Sequence, residues 1–550
     1  MKKICGNILL QKEEKIKSGC ITIEKGKIIK IDFNQEKYDK YILPGLIDSH
    51  VHIESSMLTP DKFGELAIKN GTIAIITDPH EIANVLGIDG IKFMMENSKN
   101  TPLKIFFAAP SCVPATNFET SGAIITHKEI EKLFQQYPEK IIALAEVMNF
   151  PGVIYKDPEV ISKIKIAKKY NKRIDGHAPG LSGENLIKYV KAGVETDHEC
   201  STIKEAEEKI KLGMKIQIRE GSAAKDFDSL YPIIEKYTDK VMLCTDDSHP
   251  DELTELGEIN KIIKKGIKQN INIFKLIKTA NLNPITHYNI PVGKLEVNDP
   301  ADFIIVDNLQ DFNIISTYIN GKETYNKQID NQINNNTISH NINKFKAKPI
   351  QETDLQIKCE KESKVKVNII QAEDGKLTTK KITDYLDCKN GIIEANQKKD
   401  ILKIVVLNRY TSNAKPAIGF IKGFNIKNGA IGSTIAHDSH NIIAVGTDDK
   451  FITQAINTLI EMKGGLVAIN NIYSKTLQLE IGGLMTSKNG YQVAKIYKEL
   501  NETVKNMGST FKAPFMTLAF MALLVIPEIK LSDKGLFDGN KFQFINTICE

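Results

Sequence analysis

What the chain has little of narrows the field first. The most apolar stretch near its far end, Phe515 to Pro527, is about half the roughly 20 residues that a bilayer-spanning helix needs, so it reads as a buried helix and no membrane partner is expected. Blocks of like charge are missing as well. Lys+Arg 73 against Asp+Glu 68 leaves a net charge of +5, and the charges are interspersed, which removes the electrostatic footprint of a nucleic-acid or anionic-membrane binder. The expected partner is a small molecule. Eight cysteines in 550 residues are too sparse and irregular for a disulfide framework, and no Cys-x-x-Cys occurs, so a reducing cytoplasm fits best. At the other end Ile8 to Leu10 is too brief an apolar run before Gln11-Lys12-Glu13-Glu14 to be a signal peptide.

What is present is a rhythm. A chain of 550 residues exceeds what one core usually serves, so two or three domains are expected. Short apolar or β-rich runs recur at Tyr41–Asp48, Gly71–Pro79, Pro102–Pro110, Ile141–Met148, Lys172–His177, Glu195–His198, Met214–Glu220 and Lys240–Asp247, with amphipathic stretches between several of them. Gly183 to Ala192 places Leu186, Ile187 and Val190 at helical spacing, as a crossover helix should. Eight such runs over about 250 residues predict a (β/α)8 barrel.

In that fold chemistry is built at the carboxyl ends of the strands, and here those ends are polar. After the first run come His50 and His52, which share a face because alternate side chains on a strand do. Asp78, His80 and Glu81 follow the second run, Glu146 lies in the fourth, His177 ends the fifth, His198 the sixth, Arg219 lies in the seventh, and Asp246 and Asp247 end the eighth. Imidazoles and carboxylates in this number suit zinc, iron(II), manganese(II) or cobalt(II). No lysine stands in the Leu-Ala-Glu-Val-Met end of the fourth run, so Glu146 is the candidate bridge between two ions. Cys244 reads as a small buried hydrophobe. Asp78, His80 and Glu81 are read as an extra metal site, as support for the ligands or as a helix cap; Arg219 as a contact to substrate or as a surface ion pair; and His437, in a cluster with Asp438 and His440, as part of a lid or of a structural turn.

This set of strand-end residues resembles the amidohydrolase superfamily of metal-dependent hydrolases and, within it, the bacterial adenine deaminase family. The strings that carry the narrower resemblance are His52-Ile-Glu-Ser-Ser-Met57, Asp78-Pro-His-Glu-Ile82 and Ile218-Arg-Glu-Gly-Ser-Ala-Ala224, joined by Ser111-Cys-Val-Pro114, Asp175-Gly-His177, Cys244-Thr-Asp-Asp247, Ile435-Ala-His-Asp-Ser-His-Asn441 and Gly464-Gly-Leu466. The resemblance implies that His50, His52, His177, His198 and Asp246 hold one or two divalent ions, manganese(II) or iron(II) before zinc, with Glu146 bridging. It implies hydrolysis of adenine to hypoxanthine and ammonia in purine salvage, with Asp246 moving the proton and Glu146 also among the catalytic groups, in a cytoplasmic homodimer. The residue that assists a ring nitrogen is left open among Glu146, His80, Glu81 and Arg219.

Ile4–Leu10, Cys20–Glu24 and Lys27–Ile31 form a hairpin-like series that Ala301–Asp307 and Ser316–Tyr325 resume, which predicts one small β-domain made from both flanks of the barrel. The expected division is 1–42 and 291–345 for that domain and an Asn-rich linker (326–343), 43–290 for the barrel, and 346–550 for an additional α+β domain. Two other readings remain at this stage: a different amidohydrolase, such as an N-acetylglucosamine-6-phosphate deacetylase or a cyclic-amide hydrolase, and a non-catalytic scaffold of the same fold. The zinc nucleobase-deaminase fold is excluded because His52-Ile-Glu54 has no Pro-Cys-x-x-Cys to complete it.

Overall fold

The computed structural model describes residues 1–328, 342–360 and 364–549, so most of the expected Asn-rich linker lies outside the described residues. The chain divides into two compact units, and the division is not sequential. One takes Met1–Pro79, Lys92–Cys112 and Ile125–Asn336; the other takes His80–Ile91, Val113–Ile124 and Thr337–Glu550.

The first unit holds the barrel. Its strands are Leu46–Val51, Thr72–Thr77, Lys104–Ala109, Ile141–Val147, Arg173–Gly176, Thr196–Asp197, Lys215–Arg219 and Val241–Cys244, all but the first lying within the predicted runs. The first five pair in parallel in sequence order, and so do the last three. Glu195 N–H donates to Ile174 O (2.9 Å) across the fifth and sixth strands. The ring closes where Asp246 N–H donates to His50 O and His52 N–H to Asp246 O, both at 3.0 Å. Strand Thr72–Thr77 is buried along its whole length, the pattern of a parallel strand covered on both faces. The first predicted run breaks in two at Gly45, where a Cβ would lie 2.6 Å from the Ile73 side chain. Tyr41–Pro44 before it joins a different sheet.

That sheet has seven strands and draws on both flanks of the barrel, in the order Lys322–Asn326, Ile314–Ile319, Phe303–Val306, Tyr41–Pro44, Lys2–Leu10, Lys15–Glu24, Lys27–Phe33. Its core gathers Ile8, Ile21, Ile23, Ile42 and Phe303, with Tyr318 stacked on Phe303 at 4.5 Å. Local signals set the barrel helices. Thr126 and Glu129 form a capping box before His127–Gln136, Asp157 caps Pro158–Lys169 with proline in the first turn, and Gly193 at φ +108° ends Gly183–Ala192.

The second unit is built on a ten-stranded sheet whose central strand, Ile401–Leu407, is buried throughout. Helix Asp449–Met462 packs Ile452, Ile456 and Leu459 against Val405, Ile442 and Val467 of that sheet. The apolar stretch from Phe515 is buried as expected, but its helix spans only Pro514–Ala519 before a 3-10 turn at Phe520–Ala522. No helix among the described residues is long and apolar enough to cross a membrane.

Cysteine pairing departs from expectation, since Cys5 is bonded to Cys20 and Cys359 to Cys388. Cys5 and Cys20 are direct partners in the register of an antiparallel pair, a neighbourhood that spacing along the chain does not reveal. Cys112, Cys200, Cys244 and Cys549 are unpaired.

Candidate metal centre

The six strand-end residues singled out as ligands meet at one end of the barrel, buried or nearly so. His50 and His52 lie on one face at the end of the first strand, with their Nε2 atoms 3.2 Å apart. Asp246 stands beside them because the closing backbone bonds hold it between the two histidines, and its Oδ1 lies 3.1 Å from His52 Nε2 and 3.5 Å from His50 Nε2. Glu146 spans the other gap. Its Oε1 is 3.6 Å from His52 Nε2, while Oε2 is 3.1 Å from His198 Nε2 and 2.9 Å from His177 Nδ1. One carboxylate thus faces histidines from both sides of the barrel, and His198 stacks on His50 at 4.1 Å.

Histidines and carboxylates hold one another charged across the site. Burial works against ionising Glu146, yet His177 and His198 beside it hold its acid well below the usual range. Asp246 is held down likewise against its burial, by His50, His52 and Arg219. Burial pulls the His198 imidazolium down, but Glu146, Asp246 and Glu199 lift it to about 9. Four imidazole nitrogens facing two ionised carboxylates are the donor set that a divalent first-row ion takes, so the residues fit such a metal.

Neighbouring groups fix these ligands. Asp78 contributes its backbone carbonyl, 3.0 Å from His52 Nδ1, which sets that ring so that Nε2 faces the centre. The Tyr189 hydroxyl accepts from His177 N–H (3.1 Å) and donates to Val147 O (2.8 Å), tying the ends of the fourth and fifth strands. Asp197, next to His198, accepts from Ala178 N–H, next to His177, at 2.8 Å. Buried Lys209 closes that ring by donating to Asp197 Oδ2 (3.0 Å) and Ala178 O (2.7 Å).

Arg219 is buried, not a surface residue, and each of its nitrogens is committed to a carboxylate. Nε donates to Asp226 (3.1 Å), Nη1 to Glu199 and to Asp246 Oδ2 (3.1 Å), and Nη2 to Glu199 (3.2 Å). Glu220 turns the other way, towards Lys265 at 3.0 Å. Cys244 is buried beyond the metal ligands, its Sγ 3.7 Å from Gln217 O. Glu199 was missed from sequence, although its Oε1 lies 3.5 Å from His198 Nε2 and 3.6 Å from His177 Nδ1. Neighbours on a strand point to opposite faces, which directs Glu199 away from His198. The sixth strand, however, stops at Asp197, and in the loop beyond it both side chains turn inward. His80, Glu81 and His437 belong to the other unit, where Glu81 Oε1 lies 2.6 Å from His437 Nδ1.

Residues 41–324 match the model of the amidohydrolase family, and residues 376–543 match that of the adenine deaminase C-terminal domain. The chain is 48% identical to an adenine deaminase of Methanosarcina acetivorans over the full length of both. It is 48% identical to one of a Sulfurovum species over 96% of each chain, and 47% identical to one of Borreliella burgdorferi over 99% of each. With the whole chain covered at this level, and not only the barrel, the protein belongs to the amidohydrolases and, within them, to the adenine deaminase family.

Proposed function

We propose that this protein is a metal-dependent hydrolase that converts adenine and water to hypoxanthine and ammonia, with the reaction centred on Glu146, His50, His52, His177, His198 and Asp246. The observation that carries the reading is the Glu146 carboxylate with histidines on both sides, 3.6 Å from His52 and 3.1 Å from His198. Bound at such a site, one or two divalent ions, manganese(II) or iron(II) before zinc, supply a water that ionises near neutral pH and serves as nucleophile.

Adenine resists attack at C6 because its ring is aromatic and ammonia leaves poorly, so proton transfer must accompany addition. Asp246 is placed for that work, with one oxygen on the metal side of the site and the other held by Arg219. Arg219, its nitrogens committed to three carboxylates, supports this arrangement and is not a donor to the purine. Asp78 holds a ligand in place, and a small composite β-domain (1–42 and 291–345) flanks a catalytic barrel (43–290), with 346–550 as the C-terminal domain. A homodimer acting on a free base in the cytoplasm, without nucleic acid, completes the proposal.

The decisive measurement is ammonia release by metal-reconstituted protein offered adenine, adenosine, guanine and cytosine. Release from adenine alone is expected, and release from adenosine without adenine would sink the assignment. Asp246→Asn should abolish turnover in a folded protein. Glu146→Ala should lose metal on elemental analysis, and full content would argue against bridging.

A further inference from the structure

A second group of ligand-type side chains lies within the second unit, outside the six residues on which the proposed reaction is centred. Glu81, in the first turn of helix His80–Leu86, turns each carboxylate oxygen to a different imidazole: Oε1 to His437 Nδ1 at 2.6 Å and Oε2 to His440 Nε2. All three residues are buried, and their donor atoms lie within 4.8 Å of one another. His80 Nε2 is 3.5 Å from Glu81 Oε1 and 4.0 Å from Asp438 Oδ1.

The loop that brings the histidines is held from several sides. It joins strands Ala430–Ser433 and Ile442–Gly446. His437 N–H donates to Ala519 O (3.0 Å), and its ring stacks on Phe520 at 4.4 Å. Tyr410 donates to Ser439 O (2.6 Å), and Ser439 donates to Glu119 (2.7 Å). His440 sits at φ 51°, in the left-handed region that is uncommon for residues other than glycine.

Among the described residues no lysine or arginine pairs with Glu81; its ion-pair partners are His80, His437 and His440.

We propose that Glu81, His437 and His440 form an additional divalent-cation site of the two-histidine, one-carboxylate type, with His80 and Asp438 at its margin and zinc(II) or manganese(II) as the class of ion it takes. The ion replaces the proton between His440 Nε2 and Glu81. That ring then carries its proton on Nδ1 and gives up the 3.3 Å hydrogen bond it accepts from Ala436 N–H. The same atoms without a metal would form a hydrogen-bonded clasp, with His437 and His440 both donating to Glu81.

Two measurements separate these, and neither needs adenine turnover. In crystals of the full chain grown with manganese(II) or zinc(II), an anomalous difference map at the metal edge should show a peak within coordination distance of Glu81, His437 and His440. Peaks in the barrel with none at this position would overturn the proposal. In solution, His440→Gln should lose one equivalent of bound metal by elemental analysis while keeping the equivalents of the barrel. A folded His440→Gln with unchanged stoichiometry would refute the site, and the map on unaltered protein decides if that variant does not fold.

Discussion

Arg219 donates from Nη1 to Asp246 Oδ2 at 3.1 Å, which leaves Asp246 Oδ1 facing His52 Nε2 at the same distance. Each oxygen of the proposed proton carrier therefore has a different task. The guanidinium stays in place because Glu199 and Asp226 hold its remaining donors. Arg219→Gln is expected to lower kcat by about 10- to 150-fold, the worth of one hydrogen bond to a charged group, with metal content retained and KM changed less. Steady-state kinetics with elemental analysis checks this; loss of metal together with activity would show that Arg219 acts by holding the ligand Asp246 in place and not on proton transfer.

Lys209 and Asp197 join the loops that carry His177 and His198. Removing the cation in Lys209→Met leaves Asp197 buried and unpaired. Metal affinity is expected to fall about 10- to 100-fold, and stability by about 3–5 kcal/mol. Asp197→Asn added to Lys209→Met should recover much of that stability. Equilibrium dialysis and denaturant titration read the two effects separately.

Glu119 is buried among Thr116, Ser439 and Asp438, and burial followed by the Asp438 charge raises its carboxyl to about 8. A carboxyl with a raised folded pKa binds its proton more tightly in the folded state. Its stabilising contribution is complete below pH 4.5 and is lost as pH climbs through 8. Between those values stability should fall by at most about 1.4 kcal/mol per pH unit, and Glu119→Gln should flatten the slope. Unfolding midpoints at pH 5, 6.5 and 8 provide the check, and an unchanged slope in the variant would remove Glu119 as its source.

Lys530 gives the opposite slope. It is buried, its Nζ donates to Leu377 O at 2.6 Å, and burial lowers its pKa to about 7. The unfolded chain holds that proton up to about 10.5, so stability rises with pH from 7 to 10.5 and loses this contribution as pH falls through 7. Lys530→Met should raise the melting temperature at pH 7 and remove this part of the alkaline rise. Differential scanning calorimetry across that range would show it, and a lower melting temperature at pH 7 would contradict the argument.

The barrel was legible because parallel strands covered on both faces must be continuous apolar runs, as Ile73 to Ile76 are, and because all but the third run lead into polar side chains of the metal-ligand type. Gly45 shows the limit of that reading. A single run on paper, Tyr41–Asp48, serves two sheets, since the break depends on how closely Ile73 approaches. Glu199 and the Lys209–Asp197 pair were not legible, because their roles depend on a strand two residues long and on a helix reaching back to it.

Taken alone, the sequence determined the strand rhythm, the identity of the metal-type side chains and the strings that mark the family, all properties of residues near one another in the chain. Tertiary structure decided the rest: that Asp246 lies between His50 and His52, that Arg219 serves Asp246, that Cys5 meets Cys20, and that Glu81 faces His437 and His440 some 350 positions away. Periodicity records which face a residue presents to its own element. Which distant face meets it is set by sheet closure and loop course, and these minimise a free energy summed over the whole fold.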